Sequence, residues 1–339
     1  MSANMSTGVV ALMVNGRLYT GWETVEITRS IEQIAGSFRL TVSDQDHPIR
    51  EDDACEVRID GETVITGFID TVETEHDAGS HSITVSGRDA AGELVDCAID
   101  GRQFKDQTLL QIAESLSQPF GIHVVADVDI GAAFKDEKYE NGQRIHDFLE
   151  QLARYRGVML ISDGQGSIRI TRAATARAPA SLVYGVNIKS GRASRSRMDR
   201  FSVYTVKSQS PDIPGEQGAS QQAVAEDAGM RRTRPTVIVS DPQTDLTQRA
   251  TWERNVRAGR AMPATHTVQG WHAAPHALWK PNTRTLVTDP KCRLDAAERL
   301  IVACTYRYND QSGMLTEIRH LPPAAYDLLA EPEPESQSW

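Results

Sequence analysis

Two histidines four residues apart, His272 and His276, are the first candidates for chemistry in this chain, because on a helix that spacing turns two imidazoles toward one metal ion. Pro275 between them argues against the helix, and no third ligand is spaced nearby. The pair therefore reads as a polar rim beside Trp271 and Trp279. Gly164-Gln165-Gly166 is half of a dinucleotide fingerprint, but the third glycine is missing and no helix follows, so a hairpin tip is expected. The carboxylate pairs Asp52 with Asp53 and Asp136 with Glu137 would serve general acid and base catalysis only if both members faced one substrate. Neighbours in sequence more often decorate a solvated loop. Cys55, Cys97, Cys292 and Cys304 show no Cys-x-x-Cys spacing and lie in apolar-patterned stretches, as reduced structural cysteines do. No P-loop, Gly-x-Ser-x-Gly elbow or His-Glu-x-x-His motif is present. No residue is thus assigned to catalysis, to a cofactor or to a metal, and the expectation is a protein that is not an enzyme and has no cofactor.

One basic cluster remains. Arg192, Arg195, Arg197 and Arg200, separated mainly by Ser and Ala, are the residues offered as a partner contact. Nucleic-acid platforms interleave aromatic faces for stacking, and none stands among these arginines, so a solvated basic loop competes with a binding role. The charge balance narrows the choice. With 36 basic and 46 acidic side chains the chain carries -10, which disfavours a free nucleic-acid-binding protein. The balance is also lopsided: residues 1–100 hold 19 acidic and 6 basic side chains, whereas residues 101–339 hold 27 and 30.

The elements that must position these residues follow from periodicity. In the first hundred residues apolar positions alternate (Val25 and Ile27; Phe38, Leu40 and Val42; Cys55, Val57 and Ile59), and Asn15-Gly16 and Asp60-Gly61 supply the positive φ of tight hairpin turns. Seven short strands predict a small antiparallel barrel or sandwich over residues 1–100. The period then lengthens. Leu109, Ile112, Ala113 and Leu116, and Ile145, Phe148, Leu149 and Leu152, have helical spacing and are followed by a hairpin over 158–171, which predicts an α/β domain over 101–178 ending in an Ala-rich linker. Strand character returns at 182–188, 201–207 and from Thr265 to Leu321, giving a second β domain over 179–208 and 262–326. Residues 209–261 are expected to interrupt it as an inserted unit, with a mobile polar loop from Gln209 to Gly229 and a helix from Asp245 to Arg260 capped by Asp241 or Asp245. Residues 327–339 are expected to fray. The apolar run Val9–Val14 is too short for a signal peptide or membrane span and predicts a protein made and kept in a cytoplasm, with no membrane insertion.

The segments Trp22 to Phe38, Gly67 to Asp70 and Gly87 to Cys97, with Val268 to Trp271, Leu278 to Asn282, Tyr306 to Gly313 and Pro322 to Tyr326, resemble the tail hub proteins of Mu-like bacteriophages. The resemblance spans roughly residues 8 to 326 and omits the loop from Gln209 to Arg234. It implies a mainly β fold with α+β parts, in which two tube-like antiparallel β-barrel domains flank the small α/β domain. It further implies a homotrimeric structural ring in the virion tail baseplate, assembled in the host cytoplasm. That ring would adapt the hexameric tail tube protein to the trimeric central spike protein, touch other baseplate subunits and leave a channel for phage DNA. The four arginines then become candidates for partner or lumen contact. Two other readings stand beside this one, a tail-associated cell-wall hydrolase and a nucleic-acid-binding protein. A hydrolase would need an acid and a nucleophile placed in one cleft.

Overall fold

The computed structural model describes residues 8–43, 48–208, 221–240 and 245–331. Its first unit consists of β1 (Val10–Val14), β2 (Arg17–Tyr19), β3 (Thr24–Ser30), β4 (Ser37–Ser43), β5 (Ala54–Ile59), β6 (Glu62–His76) and β7 (His81–Asp89). All pairings are antiparallel, in the order β3-β4-β7-β6-β5-β1-β2. Two hairpins form where the sequence supplies left-handed residues: Asn15 and Gly16 have φ of 52° and 75°, Asp60 and Gly61 of 48° and 85°. Alternation sends Val25, Ile27, Phe38, Leu40, Val57 and Val85 into one apolar core.

The middle unit comprises α1 (Gly92–Asp96), β8 (Arg102–Gln107), α2 (Leu109–Ser117), β9 (His123–Ala126), β10 (Phe134–Tyr139), α3 (Ile145–Arg156), β11 (Met159–Ser162) and β12 (Ser167–Thr171). The helical stripes expected from sequence bury Ile112, Leu116, Phe148 and Leu152 in one core with Ile168 and Ile170. Thr108 and Gln111 form a reciprocal capping box at the start of α2. Ala91 and Leu94 share this core, so the chain enters the unit before residue 101; α1 is too short to announce itself by period. The hairpin over Gly164-Gln165-Gly166 forms as expected and docks on the first unit, where Arg29 donates to the carbonyl of Asp163 at 2.6 Å. A Cβ at Gly164 would stand 2.3 Å from the Val64 carbonyl, so this close approach requires glycine.

The remainder contains β13 (Leu182–Val183), β14 (Ile188–Ala193), β15 (Val203–Ser208), β16 (Gln222–Glu226), β17 (Pro235–Ser240), α4 (Leu246–Arg260), β18 (Ala264–Gln269), β19 (His272–Ala274), β20 (Ala277–Leu278), β21 (Thr283–Asp289), β22 (Leu294–Tyr308) and β23 (Leu315–Leu321). The second β unit has the ladder order β14-β18-β23-β22-β21-β13, antiparallel except at its last pair. The fold is therefore mainly β with α+β parts, built on two β units that share one sheet.

Three expectations need correction. β15, assigned by its strand pattern to the second β unit, pairs instead with β16 and β17 in a separate sheet whose inner face, with Tyr204, Val206 and Ala225, is covered by α4. Residues 222–226, expected in a mobile loop, are the strand β16; its inward residues are Ala223 and Ala225, too small to write a clear alternation. Residues 209–220, the rest of that loop, and Asp241 lie outside the described residues, and Asp245 caps α4 by accepting from the backbone N–H groups of Thr247 and Gln248 at 3.0 Å. The Ala-rich linker runs beside β21, where Ala176 and Ala178 exchange 2.8 Å backbone hydrogen bonds with Arg284. Of the fraying tail, residues 327–331 are anchored: Trp252 donates to the Asp327 carbonyl at 2.7 Å, and Glu331 donates to that of Arg154 at 3.0 Å. Residues 332–339 lie outside the described residues.

The two β units repeat one design. Reading β3-β4-β7-β6-β5-β1 against β14-β18-β23-β22-β21-β13 matches the strands one for one, and the matched strands also follow the same order along the chain. β6 and β22 both have 15 residues. Both carry a bulge against the next strand, between Ile69 and Thr71 in one and Ile301 and Ala303 in the other. The units are fused by an antiparallel seam in which β3 pairs with the second half of β22, Glu26 opposite Arg307, so that a single 13-stranded sheet runs through both.

Candidate functional site

The second β unit carries four polar residues that no local spacing connects. His266 on β18, His320 on β23, Arg299 on β22 and Asp289 at the end of β21 come from four consecutive strands of the ladder, and all are buried. His266 and His320 lie on one face because Ala264, two residues before His266, stands opposite His320. The strand order alone brings them together.

Their protonation follows from donor counting. Arg299 can only donate, and its Nε lies 3.1 Å from His320 Nδ1, so that nitrogen accepts. His320 then carries its proton on Nε2 and donates to His266 Nδ1 at 2.7 Å, and His266 donates from Nε2 to Asp289 Oδ2 at 3.0 Å. The rings are parallel within 2° with centroids 5.0 Å apart, an edge-to-edge contact. Two neutral imidazoles thus link a buried cation to a buried anion. Burial lowers the pKa of both histidines, and the positive charge of Arg299 lowers that of His320 further. Burial also brings Arg299 down to about 10, so it stays charged at neutral pH. Burial pushes the Asp289 carboxyl up, but hydrogen bonds from Cys292, His266 and the backbone N–H of Lys291 outweigh it and leave the net shift downward.

His266, Asp289 and Cys292 place ligand atoms within 4.8 Å of one another, close enough for a metal ion. The hydrogen-bond order opposes one. A metal on His266 Nε2 would require Nδ1 to carry the proton, His320 Nε2 to accept, and a proton on His320 Nδ1 facing the N–H of Arg299. The donor set fits a hydrogen-bond relay and does not fit a metal centre.

The relay lies directly beneath β14. A Cβ at Gly191 would meet Asp289 Oδ2 and the His266 ring at 2.8 Å, so glycine lets the strand settle onto the pair. β14 is the end strand of the ladder and is exposed from Lys189 to Ala193. Here the sequence-predicted arginines separate. Arg192 is exposed on β14, and Arg195 is exposed just beyond it, donating to the carbonyl of Arg293 at 2.5 Å. Arg197 is exposed, and its carbonyl accepts from Arg234. Arg200 leaves the set of contact candidates: it is buried in a two-point ion pair with Asp227, one arm at 2.7 Å. Its role is to join the start of β15 to the turn after β16. Asp227 lay in the stretch expected to be loop, which hid this partner from sequence reasoning.

The other candidates are also placed. His272 lies 3.6 Å from Asp60 in the small β19–β20 hairpin, and His276 occupies its turn with φ of 61°, so the two share no helix face. Asp53 accepts from the Asn15 side chain at 3.0 Å and from the Arg50 backbone at 2.9 Å, and Asp136 accepts from Gln103 at 2.7 Å. These carboxylates tie strands and turns. The four cysteines are free thiols, with Cys55 and Cys304 buried and Cys97 and Cys292 half-buried.

Comparison with known proteins gives a consistent result. Residues 9–89 match the family described as Mu phage baseplate assembly protein GpP-like, N-terminal; residues 91–172 match the second domain of baseplate hub protein gp44-like proteins; residues 243–329 match the fourth domain of the Mu phage baseplate assembly protein GpP. The chain is similar to baseplate hub protein gp44 of Escherichia phage Mu, 32% identical over 335 residues that cover 93% of this chain and 88% of that protein. Among solved structures, the 43 kDa tail protein of prophage MuSo2 from Shewanella oneidensis superposes with a TM-score of 0.84 at 36% identity, covering 95% of this chain and all of that one. A tail protein from Neisseria meningitidis MC58 gives a TM-score of 0.81 at 26% identity over 96% and 99% of the two chains.

Proposed function

The chain belongs to the baseplate hub proteins of Mu-like phages, and from that premise we propose that three copies close into a ring that joins a sixfold tail tube to a threefold central spike. The observation that carries this reading is the repeat of one strand plan within a single chain. Three copies then present six similar β units, a number that suits a hexameric tube on one side while the ring itself remains threefold. The division of labour is proposed accordingly: the two β units form the ring wall, and the α/β unit and the inserted β15–β17 sheet with α4 face other baseplate subunits. The role is structural, since the carboxylates that catalysis would require hold turns and the relay is internally satisfied. We place assembly in the host cytoplasm and the passage of phage DNA through the ring. The acidic first unit would repel phosphates along that path.

Native mass spectrometry of the purified chain, with class averages from electron microscopy, tests this reading. A mass of three subunits and a ring with six similar lobes on one face are expected. Monomers or even-numbered rings at every concentration would overturn it.

A further inference from the structure

We infer that neighbouring copies join by strand addition, with β14 of one subunit pairing antiparallel with the second half of β6 of the next, Arg192 opposite Glu75. The inference rests on the ring reading and goes beyond it by assigning the surface and its register.

The register follows from the repeat. In the first unit one cross-strand row runs Glu26, Arg39, Ser86, Thr71, ending just past the bulge of β6. In the second unit the corresponding row runs Arg192, Thr265, Arg319, Ala303, ending just past the bulge of β22. Arg192 therefore occupies the place of Glu26, and Thr71 that of Ala303. Within the chain Glu26 stands opposite Arg307, four residues beyond Ala303, and the two form an ion pair with Nε and Oε2 3.2 Å apart. The residue four beyond Thr71 is Glu75. The intramolecular seam is thus a template for an intermolecular one in which the charges are exchanged between strands, and Gly191 would stand opposite His76 as Val25 stands opposite Tyr308.

Both edges are ready for this pairing. Among the described residues β14 has β18 as its only ladder neighbour, and from Asp70 onward β6 pairs only with β7. Four of the last five residues of β6, and all of β14 after Ile188, are exposed. Neither Arg192 nor Glu75 makes an ion pair within the chain among the described residues. An unpaired strand edge invites another chain, and the opposite charges choose which one: β6 offers Glu75, its Glu73 being paired with Arg39 within the chain, and β14 offers Lys189 and Arg192. The contact is head-to-tail, so it uses different surfaces of the two copies and must close on itself to leave no open edge.

The test uses the full chain carrying Glu75→Cys and Arg192→Cys together. Opposed residues in an antiparallel pair have Cα atoms about 4.5–5.5 Å apart, within the about 4.4–6.8 Å range that a disulfide spans. Mild oxidation of the trimer is expected to give covalent trimers on non-reducing gels, with no such product from either single variant. In parallel, Arg192→Glu is expected to raise the trimer dissociation constant by at least about tenfold, and Glu75→Arg in the same chain to restore it. A wild-type trimer whose double-cysteine variant yields no covalent trimer, or which Arg192→Glu leaves intact, overturns the assigned register while the ring reading stands. Absence of any trimer in the wild type overturns both.

Discussion

His320 shows how one side chain makes stability depend on pH. It is held neutral in the folded chain, whereas in the unfolded chain it titrates near the ordinary histidine value of 6.5. Below that value the unfolded state takes up a proton that the folded state refuses, so stability is retained above about pH 6.5 and falls as pH drops, by up to about 1.4 kcal/mol per pH unit for each such histidine. Thermal unfolding followed from pH 7.5 downward is expected to show this decline, and the variant with His266→Gln and His320→Gln should show a shallower one. An unchanged slope in the variant would remove the relay from the explanation. Arg200 makes a second case. Asp227→Ala leaves a buried guanidinium without its carboxylate and is expected to cost about 3–5 kcal/mol. Replacing both partners by Met and Leu should recover most of that loss. Denaturation monitored by hydrogen exchange in β15 and β16 reads the effect, and a change below about 0.5 kcal/mol would mean the pair is not needed there.

At the scale of elements, legibility followed the size of the inward side chains and the chemistry of the turns. Asn15-Gly16 and Asp60-Gly61 have few conformational alternatives, and both turned where their residue types required. The stripes Ile112–Leu116 and Phe148–Leu152 wrote helices in large apolar residues. β16 writes its inward face in alanine, which leaves a polar stretch with no visible alternation. The relay was illegible for another reason: residues 266, 289, 299 and 320 meet only through strand order, which no local window contains. The arginine cluster was legible as a cluster, but its division into an edge residue, Arg192, and a buried brace, Arg200, depends on which sheet each segment joins. The Gly164 hairpin supports a prediction at this scale. Gly164→Val places a Cβ against the Val64 carbonyl at a φ of 76° and is expected to cost about 1–3 kcal/mol and loosen the hairpin from the first unit. Calorimetry showing an unaltered transition would refute the close approach as a constraint.

For the molecule as a whole, the uneven charge acquires a direction. Residues 1–100 carry 19 acidic and 6 basic side chains, and the exposed half of β6 belongs to that region, while β14 brings Lys189 and Arg192 from the other side. A head-to-tail contact lets each copy turn its acidic unit toward a basic strand. Salt screens charges at such a rim over about 8 Å at physiological ionic strength and about 3 Å at 1 M. The proposed trimer is therefore expected to dissociate more readily as sodium chloride rises, and sedimentation velocity across a salt series measures it. Trimers that tighten with salt would point to a contact dominated by apolar burial.

The seam between β3 and β22 also has a consequence for synthesis. Its partners, residues 25–30 and 303–308, lie far apart in the sequence, so the first unit leaves the ribosome with its β3 edge bare and acquires that neighbour only after residues 303–308 have been made. A nascent or prematurely terminated chain exposes a strand that the finished one covers. Such a fragment is open to wrong pairing with any other bare strand edge, and the chain presents its correct edges to other molecules only once residues 303–308 have been made and the seam has closed.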